Sequence, residues 1–371
     1  MSSRFFRFAW LASPIVALAF AGCSTIAGNV LKESRDGFNQ AAQITNAEQL
    51  LRNLVRLRYA QSPYFLEISS VSTSATMAGG LGSGVNTVST VPGFDFNLTL
   101  SPSLSYSQTP SFVFQPLTGE KLGRQLLRPV DLRTLALLRT AGWDLRDILI
   151  VLVDSINGIP NAPAATQFAP PSVPDNADFR RVVDLIDQLE DAGLVQLGIE
   201  PGVPSPDPRG DIVLSLQIDK QAAGRAEVAE LTRRLGLDPK NLTYRLAAAA
   251  TGGGGQTIVV KPRSVLAAMR YLSKGIEIPQ ADRAAGNVPQ VSVDGEVVDW
   301  TKLMSGIFTV RSSEVPPANA YVSIRHERHW FFIDPADLAA KQSFALLETV
   351  FALQGGDVPP ITTVLTLPIA R

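Results

Sequence analysis

The chain contains a single cysteine, Cys23, and two histidines, His326 and His329, in 371 residues. One cysteine excludes an internal disulfide and a thiolate metal cage, so the fold must hold by packing alone. No serine lies in a G-x-S-x-G turn and no lysine follows a serine by three, which removes two common nucleophile patterns. Gly252–Gly255 lack the G-K-[ST] ending of a phosphate loop and read as a tip or a close backbone approach. Charge of one sign is missing too: 33 Lys and Arg stand against 34 Asp and Glu. Without a concentrated basic patch, nucleic acid and an anionic lipid face are poor partners. Two histidines do not make a zinc site, and Glu327 is the one nearby carboxylate. On a hairpin turn at Arg325–Arg328 the pair reads as solvent-exposed turn residues, so no metal and no cofactor is expected.

Against these absences stands the first stretch of the chain. Arg4 and Arg7 form a short basic start, an apolar run follows from Phe8 to Gly22, and Cys23 closes it. A basic n-region, an apolar h-region and small residues before a cut mark a secretory signal. The run is shorter than the ~20 apolar residues of a membrane span, and Pro14 interrupts it. Phe20-Ala21-Gly22-Cys23 resembles a bacterial lipobox, in which the cysteine sulfur is acylated and becomes the first residue of the mature chain. That resemblance implies a signal peptide over 1–22, a palmitate-class anchor on Cys23 and a periplasmic location. Ser24 after the cysteine resembles an outer-membrane address in Gram-negative lipoproteins. Ala19-Phe20-Ala21 is also an A-x-A site, whose cleavage would give a soluble periplasmic protein instead.

The rest divides by composition and period. Residues 23–45 are small and polar and read as a tether. Asn46, with Gln49 three residues on, offers a capping box. From it a helix carries Leu50, Leu51, Leu54, Val55 and Leu57, with Arg52, Arg56 and Arg58 on a solvated basic face. Phe94, Phe96, Leu98, Leu100, Leu104, Tyr106, Phe112 and Phe114 share one parity, and serines, threonine and asparagine hold the other. Period two of that length means β-strand, with Pro102 and Pro110 at edges, bends or turns. Helices are expected from Thr118, from Asp131 to Gly142, and from Asp144 through Ile156, with Trp143 as a core anchor between the last two. These complete a segment 46–159. Residues 160–174 are proline-rich and read as a linker.

Residues 175–285 alternate helix and strand: a helix capped at Asp175 or Asn176, strands at 212–218, 242–250 and 257–260, and helices at 225–235 and 264–272. Residues 286–371 hold an Asp294-Gly295 hairpin, strands at 308–312, 320–324 and 330–333, and a helix opening at Asp334-Pro335. Leu338, Phe344, Leu347 and Phe351 are its expected core face, and Ile361–Leu367 a closing strand. The whole is α+β, with mixed helices, antiparallel and mixed sheets, and a Ser/Thr-rich amphipathic β segment near the N-terminus.

Lys261-Pro-Arg-Ser-Val-Leu to Gly275, Arg328-His-Trp-Phe-Phe-Ile-Asp-Pro to Gly356, Arg56-Leu-Arg-Tyr59 and Pro63-Tyr-Phe-Leu66 resemble a set of uncharacterised Gram-negative lipoproteins. That resemblance implies a single ancestral unit and nothing about chemistry. The reading is therefore a lipid-anchored, non-enzymatic binding or assembly component on the periplasmic side of the outer membrane, with other envelope proteins as partners. Two alternatives stand beside it: an oligomeric pore or β-arm assembly using residues 65–116, and an envelope hydrolase without a recognised nucleophile motif.

Overall fold

The computed structural model describes residues 37–87, 96–162, 165, 175–200, 213–248, 253–293, 296–355 and 365–366. The signal, Cys23, the tether up to residue 36, the loop 201–210, most of the proline-rich stretch and the Asp294-Gly295 turn lie outside them. The fold is α+β. The chain groups into two compact units, one of residues 1–63 and 127–351, the other of 64–126 and 352–371. The sequence reading divides the chain serially, whereas each of these units is assembled from two separated pieces.

The first unit opens with helix α1, residues 37–58. It begins nine residues before Asn46, so the capping box is not the helix start. Ala41, Ala42 and the glutamines around them are good helix formers with no breaker among them, and they carry the helix backwards through Asn46. Leu50, Leu51, Leu54 and Val55 are buried as expected, but so is Arg58, only 7 % exposed, which removes it from the solvated face.

Helices α3 (Leu132–Thr140) and α4 (Leu145–Leu152) start at Asp131 and Asp144, whose carboxylates accept from the amides of Arg133 and Arg146. This satisfies amides that the first helical turn leaves without carbonyl partners. Helix α4 stops at Leu152 rather than Ile156, because Val153–Ile156 is strand β3 and pairs with strand β8, Thr257–Pro262. Val153 and Ile156 are β-branched, and the ladder claims them. Trp143 is only part-buried, not a core anchor. Helix α5 (Ala177–Asp191) buries Phe179, Val182, Val183, Ile186 and Leu189 and ends before Gly193 at φ +68°.

A six-stranded sheet runs in the order β4 (Ile159–Pro160), β3, β8 (Thr257–Pro262), β7 (Thr243–Ala248), β6 (Val213–Ile218), β5 (Val195–Glu200). Only β7 and β8 are parallel. Among the described tip residues, Gly253 makes a close approach: at φ +108° a Cβ there would lie 2.2 Å from Asn157 Oδ1. An apolar cavity of about 60 Å³, lined by Leu135, Leu149, Ile186, Leu216 and Ile258 among others, lies in this unit. It is several-fold smaller than an ordinary ligand pocket of ~300 Å³ or more.

Helices α6 (Ala226–Arg234) and α7 (Val265–Ser273) follow the sequence reading closely. Short elements such as α8 (Gln280–Ala284), α9 (Trp300–Met304) and strands β4 and β5 were not legible. The strands β9 (Ser292–Val293) and β10 (Glu296–Val297) pair antiparallel, as the hairpin reading expects. A three-stranded sheet orders β11 (Arg311–Ser313), β13 (His329–Ile333) and β12 (Val322–His326).

Helix α10 (Leu338–Gln354) starts three residues after Pro335. Asp334 accepts from Ala336 in a preceding turn, and Asp337 supplies the cap by accepting from the Ala340 amide. This later start turns Leu338 outward, 66 % exposed, while Phe344, Leu346 and Leu347 are buried and Phe351 is intermediate. On the same helix, burial raises the Glu348 carboxyl to about 7. The folded chain then holds a proton on Glu348 that the unfolded chain has released, in the window from about 4.5 to 7. Stability therefore falls as pH rises through that window. Glu348→Gln should flatten this dependence and raise the denaturant midpoint at pH 7.5, while leaving the value at pH 4.5 nearly unchanged.

The second unit is built on one hairpin. Strands β1 (Leu66–Thr87) and β2 (Phe96–Pro116) pair antiparallel from Leu66↔Pro116 to Thr87↔Phe96, with one irregularity between Ile68 and Ser70. Both are several times the usual strand length of 5–6 residues. Strand β14 (Leu365–Thr366) adds to β1 in parallel at Thr73 and Ser74, giving the order β14-β1-β2. Pro102 and Pro110 thus sit on an edge strand, where a missing amide donor is tolerated. At the foot of the hairpin, α2 (Gly119–Leu122) runs into a π-helical turn at Gly123–Leu127. Lys121 pairs with Glu67 there.

Candidate functional site

The densest group of chemistry-bearing side chains in the first unit joins the end of α1, helix α8 and the β12–β13 hairpin. The Tyr59 hydroxyl donates to Asp282 Oδ2 at 2.6 Å, and Asn287 Nδ2 donates to Asp282 Oδ1 at 3.0 Å. His329 Nδ1 stands 3.3 Å from the same Oδ2. The Tyr59 ring meets His326 and Phe331 edge-on, with centroids 5.1 and 6.1 Å apart. Register explains the histidines: His326 and His329 are paired residues flanking the Glu327-Arg328 turn, and Glu327 adopts φ +50°.

The two histidines do share a hairpin, as expected, but they are not solvent-exposed. His329 is 8 % exposed and stands against Asp282, and His326 is intermediate, with the Tyr59 and Phe331 rings packed on it. Burial lowers the His326 imidazole, with Arg56 and Arg52 adding repulsion that Glu327 partly offsets. Its Nε2 is buried without a hydrogen-bond partner and lies 4.0 Å from the Glu327 carboxylate. For Asp282, burial pushes the carboxyl up, and the hydrogen bonds from Tyr59 and Asn287 outweigh it, so the group is held below its usual range. Burial and the same Asp282 bond raise the Tyr59 phenol, which keeps it a donor.

This chemistry is that of a clasp. Asp282 accepts from Tyr59 and Asn287 with His329 beside it, so one carboxylate ties the end of α1 to α8 and to the β12–β13 hairpin. Among the described residues no group of three or more His, Cys, Asp or Glu could hold a metal ion. Two cations border the clasp. Burial lowers Arg58 to about 10, with Arg283 adding repulsion. Burial likewise lowers Lys274 to about 8, and its ammonium lies 4.6 Å above the Trp300 ring.

A second polar knot holds the sheet to its helices. Arg263, 2 % exposed, donates to the carbonyls of Ile150, Val151 and Asn161 and lies 4.0 Å from the Tyr271 ring centre. Ile150 and Val151 are in the last turn of α4, so the guanidinium satisfies carbonyls that the helix cannot. Asn161 in turn donates to Ile150 and Val153.

In the second unit the candidate is the hairpin itself. Val113 and Phe114 point to opposite faces of β2 and are 50 % and 54 % exposed, so at that level neither face is covered. Between Leu66 and Pro116 the only charged residues of the sequence are Glu67 and Asp95. Soluble proteins guard such edges with lysine, short strands or covering elements. No helix among the described residues is long and apolar enough to cross a membrane, which says nothing of strands. Cys23, the one residue that the sequence singled out as a site, lies outside the described residues. Compared with known protein families, curated proteins and solved structures, the chain matches none of them.

Proposed function

We propose that the protein is a lipid-anchored assembly component of the bacterial envelope, held by Cys23 at the periplasmic face of the outer membrane. Its first unit is a scaffold, and the β1–β2 hairpin is the arm that meets partners. The observation that carries this reading is the ladder of β1 with β2, unbroken over some twenty residue pairs apart from one irregularity and free of basic residues. A two-stranded ribbon is marginal alone in water and gains stability from further pairing. The pore reading draws on the same strands, each longer than the ~9–11 residues that cross a bilayer.

The anchor is tested by Cys23→Ser. The wild-type protein should remain with outer-membrane lipid after a high-salt wash, and the variant should move to the soluble periplasmic fraction. Retention of the variant in the membrane would overturn the anchor, and release of the wild-type protein would favour the soluble alternative.

A further inference from the structure

We infer that Arg58, Lys274 and Arg283 form a binding site for a phosphate group in the first unit. The inference is independent of the assembly reading above. Arg58 closes α1 and is 7 % exposed, yet its Nε is buried without an acceptor, and its guanidinium makes no ion pair among the described residues. Lys274 follows the last residue of α7 and is part-buried, with its ammonium over the Trp300 ring rather than against a carboxylate. Arg283 is exposed on α8 and close enough to Arg58 to repel it. Arg58 and Arg270 in turn repel Lys274. Asp282, the neighbouring carboxylate, is taken up by Tyr59, Asn287 and His329.

A buried cation normally carries a partner, because taking an unpaired one out of water is expensive. Here like charges also face each other. Both inner cations stand at helix ends, whose carbonyls favour a cation with about half a negative charge each. That is too little to balance a cluster of full positive charges. An anion supplies the rest. A carboxylate brings one negative charge, whereas a phosphate group brings about −1.5 to −2 and three strong acceptor oxygens. A guanidinium fork and a point ammonium are the side chains that hold phosphate in proteins. Arg283 alone of the three is exposed, so an entering anion meets it first.

The test is calorimetry on the full lipidated chain in neutral detergent at constant ionic strength. The probes are inorganic phosphate, glycerol 3-phosphate, and phosphatidic acid in the same detergent, with acetate as the control. Saturable binding of inorganic phosphate is expected, and none of acetate. Whichever ester binds more tightly names the source, a soluble phosphomonoester or a lipid headgroup. Lys274→Met and Arg283→Ala should each weaken binding roughly ten-fold, the loss of one charged hydrogen bond. Arg58→Met should abolish it. Because Arg58 also packs in the core, part-buried Lys274 and exposed Arg283 decide the case if Arg58→Met fails to fold. No saturable binding of any of the three phosphates would overturn the inference. So would acetate binding as tightly as phosphate, or Lys274→Met and Arg283→Ala binding phosphate like the wild-type chain.

Discussion

Arg263→Ala should lower stability by about 2–5 kcal/mol, from buried carbonyls that lose a charged donor and from the void left by a large side chain. The guanidinium is the shared donor to Ile150, Val151 and Asn161. Truncation leaves buried carbonyls without it, each costing about 1–3 kcal/mol if nothing replaces the donor. It also removes the cation over Tyr271 and opens a void in the wall between α4 and β8. Burial lowers the Arg263 pKa, so some desolvation cost is recovered on truncation, which keeps the total below the sum of the parts. Arg263→Lys should recover only part of the loss, because a point ammonium cannot reproduce a planar fork. Urea unfolding of both variants measures this. A shift under about 1 kcal/mol for the alanine variant would mean that water or another donor reaches those carbonyls.

The second large effect is expected at Asp282, where Asp282→Ala should cost about 2–4 kcal/mol. Tyr59 and Asn287 lose their acceptor, and His329 loses the carboxylate 3.3 Å from its Nδ1. Tyr59→Phe should cost less, about 1–2 kcal/mol, since the ring and its contacts with His326 and Phe331 remain. A double-mutant cycle between the two positions should show coupling of about 1–3 kcal/mol. The carboxylate is held below its usual range, so its contribution is present above the ordinary aspartate pKa and is lost as pH falls through the lower, folded value. The cost of Asp282→Ala should therefore shrink in acid. A cost that does not change with pH would contradict a clasp built on the ionised group.

Much of the fold was legible because its signals are local. Helices α5, α6 and α7 show helical periodicity, and caps at Asp131, Asp144 and Ser264 are visible as single residues. Strand β2 was legible from parity, since large apolar residues alternate with serine and threonine. Its mate β1 was not read, because its larger apolar residues, Val71, Met77, Leu81 and Val85, share one parity but stand far apart among small residues, which makes the period faint. Only the register with β2 reveals it. The helix limits failed where two weak signals competed. At Asn46 helix propensity upstream overrode a capping pattern, and at Val153 sheet pairing overrode a continuing apolar run.

The polar knots were illegible for a different reason. Tyr59 and Asp282 lie 223 positions apart, and no spacing rule joins them. Arg58 falls at i, i+3, i+4, i+7 with Leu51, Leu54 and Val55, so the helical period itself puts it on the buried face, and only its charge suggested solvent. The histidine pair was readable as a hairpin turn, but its burial depends on α1, which comes from the other end of the chain.

We propose that the β1–β2 arm is the protein's assembly element. Amide hydrogen exchange measures it most directly, comparing the lipidated protein in membranes with the unlipidated Cys23→Ser form at low concentration. The account predicts that amides of Ala75–Thr87 and Phe96–Gln108 are strongly protected in the membrane and exchange rapidly in the dilute form. Amides of α5, α7 and the six-stranded sheet should exchange equally in both. An arm protected to the same degree in both forms would contradict the account, because the hairpin would then be stable without a partner.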